Sequence, residues 1–288
     1  MEKKCLSRNL RHLPQLLVWT FLMLSFLSGQ TARAQEDLMQ WFEATASQAK
    51  TYTQQKQYEK SNECCEQIIA RITSTPIEGL IPTVKNTMAI NNLYLAVDAM
   101  KEKDFTRAKH LLDKAVVDAK TDTKTYSMAC TWMGDWYSTQ SLNIRLSNGN
   151  LQQALEMTTE AERWFNMAQK PEKRLSELLS MAKILDDLKR KDEARTLLQQ
   201  VIAECGNRSE RDIIRGKALY QLGSMEADEE DFQQSIAHLE QSYNLCSAAE
   251  VTDYAKLAAR RLTRLYKYNI PDTDKESFWQ QRSGNTEE

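Results

Sequence analysis

The sixteen residues Asp231 to Cys246, DFQQSIAHLEQSYNLC, decide the fold. Phe232, Ile236, Leu239, Tyr243 and Cys246 recur at steps of three and four, which places them on one face of an α-helix. Asp231 stands where its carboxylate accepts free amides of the first turn, so it is the expected N-cap. Asp104 before Phe105 repeats the arrangement in DFTRAKHLLDKAV.

Working outward, small residues pair at an offset of twelve: Ala49 with Ser61, Ala96 with Ala108, Ala182 with Ala194, and Gly223 with Ser235. Antiparallel helices approach closely only where small residues face each other, and large neighbours then fill the groove beside the contact. Tyr58, Phe105 and Phe232 stand three residues before the second small residue; Cys65, Leu112, Leu198 and Leu239 stand four after it. Helix pairs are expected at 36–55 with 57–74, 84–102 with 104–120, 122–146 with 151–168, 172–190 with 192–205, and 210–227 with 231–246. Helices near 250–268 and 273–281 close the array. Pro76, Gly79 and Pro82 mark the one long linker.

These residues resemble the tetratricopeptide repeat (TPR) family. Leu222-Gly223 and Met133-Gly134 stand at its Leu-Gly pair; Tyr137, Tyr52 and Tyr266 match its aromatic position. The second-helix anchors Ser61, Ala108, Ala154, Ala194 and Ser235 are 47, 46, 40 and 41 residues apart, against about 34 in the standard repeat. Most Trp and Pro signature positions are missing. In the third hairpin eight residues are inserted around Ser147-Asn148-Gly149-Asn150, which lengthens both helices, and a sixth pairing, Thr263 with Lys275, is degenerate and fits a capping helix. The resemblance implies an all-α fold: an α-solenoid of five to six antiparallel helix pairs wound as a right-handed superhelix.

Composition agrees. The 288 residues are 41% hydrophobic and 27% charged, with 8 Gly and 5 Pro. So few turn residues argue against a β-sandwich and against a Pro/Gly-rich disordered chain. Residues 1–34 read as a secretory signal peptide: Lys3, Lys4, Arg8 and Arg11, then an apolar run from Leu13 to Leu27, then Ala32-Arg33-Ala34 before Gln35. The alternative is an uncleaved anchor, for which the run is short of the ~20 residues a span needs. Cys5 precedes the apolar run, so it is not a lipoprotein cysteine. Residues 35–282 are the repeat domain and 283–288 a disordered tail. The expected location is the periplasm or the exterior of a bacterium.

Removal of residues 1–34 takes five basic residues, Lys3, Lys4, Arg8, Arg11 and Arg33, and one acid, Glu2. The net charge falls from −2 to −6, which argues against nucleic-acid binding. Cys64, Cys65, Cys130, Cys205 and Cys246 are odd in number and irregularly spaced, so buried free thiols are expected rather than a disulfide framework. His110 and His238 lie on second helices without a partner motif. No nucleophile-elbow, metalloprotease, phosphate-loop or dinucleotide motif is present. No catalytic residue, cofactor or metal is expected.

In the TPR family the first helices line a concave face that binds a peptide or partner helix. The resemblance then places Ile90, Leu93, Val97 and Met100, Met128, Thr131 and Asp135, Leu179, Lys183 and Asp186, Lys217, Tyr220 and Ser224, and finally Arg260, Arg264 and Lys267 along it. The N-terminal half is apolar and the C-terminal end basic, which suits a segment with an acidic end. The competing reading makes the apolar set core and the cations a solvated face. The Lys-Asn combination of the family's carboxylate clamp is missing. Trp132, Trp136 and Trp164-Phe165 form an aromatic concentration, either packing or a binding patch. The expected function is an exported, non-enzymatic adaptor for another envelope or secreted protein. The alternatives are a sensor acting in trans and a small-ligand or glycan binder.

Overall fold

A helix that carries an N-cap, an apolar stripe and no internal proline has little choice of conformation, and this chain repeats that unit. The computed structural model describes residues 29–284, and twelve α-helices and no strand occur among them. They are α1 (Gly29–Gln54), α2 (Tyr58–Ile72), α3 (Ile81–Lys101), α4 (Phe105–Asp118), α5 (Thr123–Leu146), α6 (Leu151–Met167), α7 (Pro171–Asp187), α8 (Lys191–Cys205), α9 (Asp212–Asp228), α10 (Phe232–Ala248), α11 (Thr252–Arg264) and α12 (Thr273–Ser283). The expected helices are all present, most with ends displaced by a few residues. Most of the expected signal segment lies outside the described residues; Gly29 to Ala34 begin α1.

The contacts divide the chain into two compact units, Met1–Asn91 and Asn92–Glu288, and the division falls inside α3. In the first unit α1 packs on α2 around Phe42, Ala49, Cys65, Ile68 and Ile72. The expected linker is structured: Glu78–Leu80 form a single 3-10 turn, Ile77 is buried, and Pro82 sits in the first turn of α3, where its missing N–H costs nothing. A buried polar cluster ties the unit together. The Thr53 hydroxyl donates to Asn91 Oδ1 at 3.1 Å, and Asn91 Nδ2 donates to Ser61 Oγ and Asn62 Oδ1, each at 2.9 Å.

In the second unit each helix from α4 to α12 packs on the next. The first helices also meet one another, α7 with α9 and α9 with α11, which is the stacking of an α-solenoid. Asp104, Asp122, Asn150, Asp231 and Asp272 each accept a backbone amide as N-caps. The residues expected at the crossings are buried, including Ala96, Ala108, Ala154, Ala182, Ala194 and Ser235, as are Leu112, Leu198 and Leu239 beside them.

Serines at crossings add a directional bond. Ser235 and Ser242 on α10 donate at 2.7 Å to the carbonyls of Gly223 and Gly216 on α9. In the lengthened third hairpin, Ser141 on α5 donates to the Ala154 carbonyl at 2.9 Å and lies 2.6 Å from the Thr158 hydroxyl on α6. Gly134 lets α6 come closest: a Cβ built there would lie 2.6 Å from a ring carbon of the fully buried Phe165.

The C-terminal end departs from expectation in two places. The helix expected over 250–268 ends at Arg264, and Leu265–Asn269 form a π turn closed by the Ile270 amide on the Leu265 carbonyl at 2.9 Å. The extra residue lets Leu265 and Tyr266 point inward while Lys267 and Tyr268 stand in solvent. Ser283, expected to begin a disordered tail, instead closes α12, buried and hydrogen-bonded to the Gln280 carbonyl. Residues 285–288 lie outside the described residues. The capping role expected of α12 is met by Trp279, which is buried against Tyr243 with ring centroids 5.0 Å apart.

Candidate functional site

The first helices of the second unit are joined side to side by polar and aromatic contacts. Between α5 and α7, Lys173 Nζ bonds Asp135 at 2.6 and 2.8 Å, and Ser138 donates to Glu177 at 2.7 Å. Between α9 and α11, Tyr220 meets Tyr254 edge-on at 5.6 Å, Lys217 lies over the Tyr254 ring, and Arg261 bonds the Ser224 carbonyl and the Asp228 carboxylate. Asp135 and Tyr220, expected as partner contacts, are thus occupied in holding the array together.

The expected apolar half of the face is only partly available. Leu93 is 3% exposed and Leu179 6% exposed, so both belong to the core. Thr131 is also buried and donates its hydroxyl to the Ser127 carbonyl. The reason is geometric: a first helix in a stack is flanked by its own partner and by the next first helix, so its apolar stripe is wider than one contact needs. Ile90, Val97, Met100 and Met128 are half-buried, and Lys183 is exposed.

The basic end is different. Arg260, Arg264 and Lys267 are exposed and line one cleft of about 230 Å³ with Tyr268 and Glu276. Arg260 and Arg264, one turn apart on α11, have no ionic or hydrogen-bonding partner among the described residues. Lys267 faces Glu276 at 3.9 Å. Two free guanidinium groups beside a third cation form a fork suited to a carboxylate or another oxyanion.

The remaining candidates resolve into structure. None of Trp132, Trp136, Trp164 and Phe165 stands exposed. Trp136 Nε1 donates to the Phe105 carbonyl at 3.0 Å, and Lys109 lies over the Trp136 and Tyr137 rings. The five cysteines are free and buried; burial raises every one of their thiol pKa values, that of Cys65 to about 12. His238, left without a partner by the sequence reading, lies 2.7 Å from buried Glu226, which has Arg195 at 3.9 Å. This chain of polar contacts joins α8, α9 and α10. Among the described residues no group of three His, Cys, Asp or Glu could hold a metal, and no helix is long and apolar enough to cross a membrane.

Glu177, bonded by Ser138 across the first helices, has a perturbed titration. Burial raises its pKa, Ser138 and Lys173 pull it down, and Asp135 pushes it up. A carboxyl raised by folding keeps its proton after the unfolded chain has lost it, so its contribution to stability falls as pH rises through that window. Glu177→Gln is therefore expected to raise Tm by a few degrees at about pH 8 and to leave it unchanged at about pH 4. A thermal melt at both pH values checks this, and a larger gain at the acid end would reject it.

No protein-family model and no curated protein matches the chain. Among solved structures, aspartyl phosphate phosphatase F from Bacillus subtilis aligns over 91% of this chain and 75% of its own, at 10% identity and a TM-score of 0.49. BtubC (BKLC) from P. vanneervenii aligns over 86% and 94%, at 14% identity and a TM-score of 0.48. The C-terminal part of a TPR repeat-containing protein from Cytophaga hutchinsonii aligns over 83% and 93%, at 12% identity and a TM-score of 0.44. With its antiparallel helix pairs, small residues at the crossings and, in the second unit, first helices stacked on one another, the chain has an all-α, solenoid-type helical-repeat fold.

Proposed function

We propose that the chain is an exported, non-enzymatic adaptor that binds an acidic segment of another envelope or secreted protein on its first-helix face. One observation carries this reading: Arg260 and Arg264 are free and converge with Lys267 on a single cleft at the end of the first-helix row. Two other cations of the first helices are committed. Lys173 is paired with Asp135, and Arg261 with Asp228. Exposed arginines held together without a bonded carboxylate favour an anionic partner and raise its association rate. Export rests on the basic start, apolar run and Ala-Arg-Ala of residues 1–34.

The test is affinity capture from envelope extract with the exported form, beside an Arg260→Glu, Arg264→Glu variant. The expected result is one enriched protein whose recovery falls at least about tenfold in the variant, as the loss of two charge-assisted contacts requires. The same protein recovered equally by both would remove the cleft from the proposal; no specific capture would remove the adaptor. N-terminal sequencing of the exported form should begin at Gln35, and a start at Met1 would argue for an anchor.

A further inference from the structure

A second cleft, of about 500 Å³, opens on the side of the second helices. It arises because α8 and α10 both pack on α9, which wedges between them. Its floor is apolar and comes from Ile202, Leu219 and Leu245, one residue from each of the three helices. Its rim is polar and comes from Asn207, Gln241 and Asn244, all exposed.

We propose that this cleft binds an uncharged, extended peptide segment that carries an aliphatic side chain. The charge balance points there first. Arg215 is the only charged residue lining the cleft, and its terminal nitrogens are committed: they donate to the Gly206 carbonyl, to Asn207 Oδ1 at 2.9 Å and to Asp212 Oδ1 at 3.0 Å, while its Nε is buried and unbonded. Asp212 already pairs the Arg215 charge, so a charged ligand group would leave water for the apolar floor without a free ionic partner, which is costly.

The hydrogen-bonding groups point the same way. Gln241 and Asn244 stand one turn apart on α10 with no side-chain partner among the described residues. A carboxamide offers a donor and an acceptor side by side, which is the complement of a peptide group. The spacing along the helix offers two such pairs to one strand. No aromatic ring lines the cleft, so a sugar or base has no face to stack on. The apolar floor and the volume take one leucine-sized side chain with its flanking peptide groups. The rim is also fixed in shape: Gly206 has φ 56° and ψ −143°, a conformation open essentially to glycine alone.

None of these residues lines the basic cleft, so this inference is independent of the adaptor reading. The experiment is an NMR titration of the full chain with acetyl-Ala-Leu-Ala-amide, observing the side-chain amides of Gln241 and Asn244. A dissociation constant of about 1 mM is expected for so small a ligand. The peptide with Asp in place of Leu should bind at least about fivefold more weakly, because its charge goes unpaired. The Gln241→Ala, Asn244→Ala variant, altered only at exposed positions, should lose affinity by a similar factor. Absence of saturable shifts in these amides, equal response to the Asp peptide, or unchanged affinity in the variant would each overturn the proposal.

Discussion

Gly134→Val is expected to destabilise the fold by about 3 kcal/mol and to lower Tm by about 8 °C. A Cβ at position 134 would meet three Phe165 ring carbons at 2.6, 2.8 and 2.9 Å, whereas carbon atoms in contact normally sit about 3.5–4.0 Å apart. The ring is 1% exposed, so it has no free space to turn into. Helix propensity works in the other direction, because glycine inside a helix costs about 1 kcal/mol relative to alanine. The overlap outweighs that gain, and valine adds two more methyl groups to the same space. Urea denaturation measures the loss. The cause is isolated by the milder Gly134→Ala change, made alone and with Phe165→Leu. If ring contact is the reason, the pair costs less than the sum of its members by at least about 1 kcal/mol. Strict additivity would show that Gly134 matters for another reason.

Asn91→Ala carries the second large effect, a loss of about 3 kcal/mol. Asn91 is 0% exposed and makes three hydrogen bonds, to Thr53, Ser61 and Asn62. Alanine leaves a hole and removes every one of them. Asn91→Asp discriminates more sharply. It keeps the shape but exchanges a donor group for a second acceptor, and its ionisation would place a charge in the core. Its penalty should therefore grow between about pH 4 and pH 8, while that of Asn91→Ala stays flat. Equal pH dependence of the two variants in urea denaturation would reject the network as the source of the cost.

The hairpins were legible because small residues at a crossing leave a mark at a fixed offset in the sequence. Gly223 and Ser235 can be found by their offset, and so can the caps Asp104 and Asp231, since each acts within its own turn or hairpin. The binding face was half legible. Arginines such as Arg260 and Arg264 have no stable place inside, so their helical position fixes their exposure. Leu93 and Leu179 show the opposite case. Their period places them on the first-helix face but does not say whether a neighbouring helix covers it, and here one does. The contact of His238 with Glu226 depends on how α9 and α10 are set against each other, which no single-helix pattern records. The π turn at Leu265–Asn269 was hidden because its extra residue falls in the last turn of the helix, where no further apolar period records the shift.

The five buried thiols give the molecule a built-in clock. They are spread along the array: Cys64 and Cys65 on α2, Cys130 on α5, Cys205 on α8 and Cys246 on α10. A thiol reacts only as an exposed thiolate, so a labelling reagent reaches each position only when its own hairpin opens. In a stack where each hairpin leans on its neighbours, openings at the ends and in the middle differ in free energy. The order in which the positions are labelled would map how cooperativity is distributed along the chain, with no residue replaced.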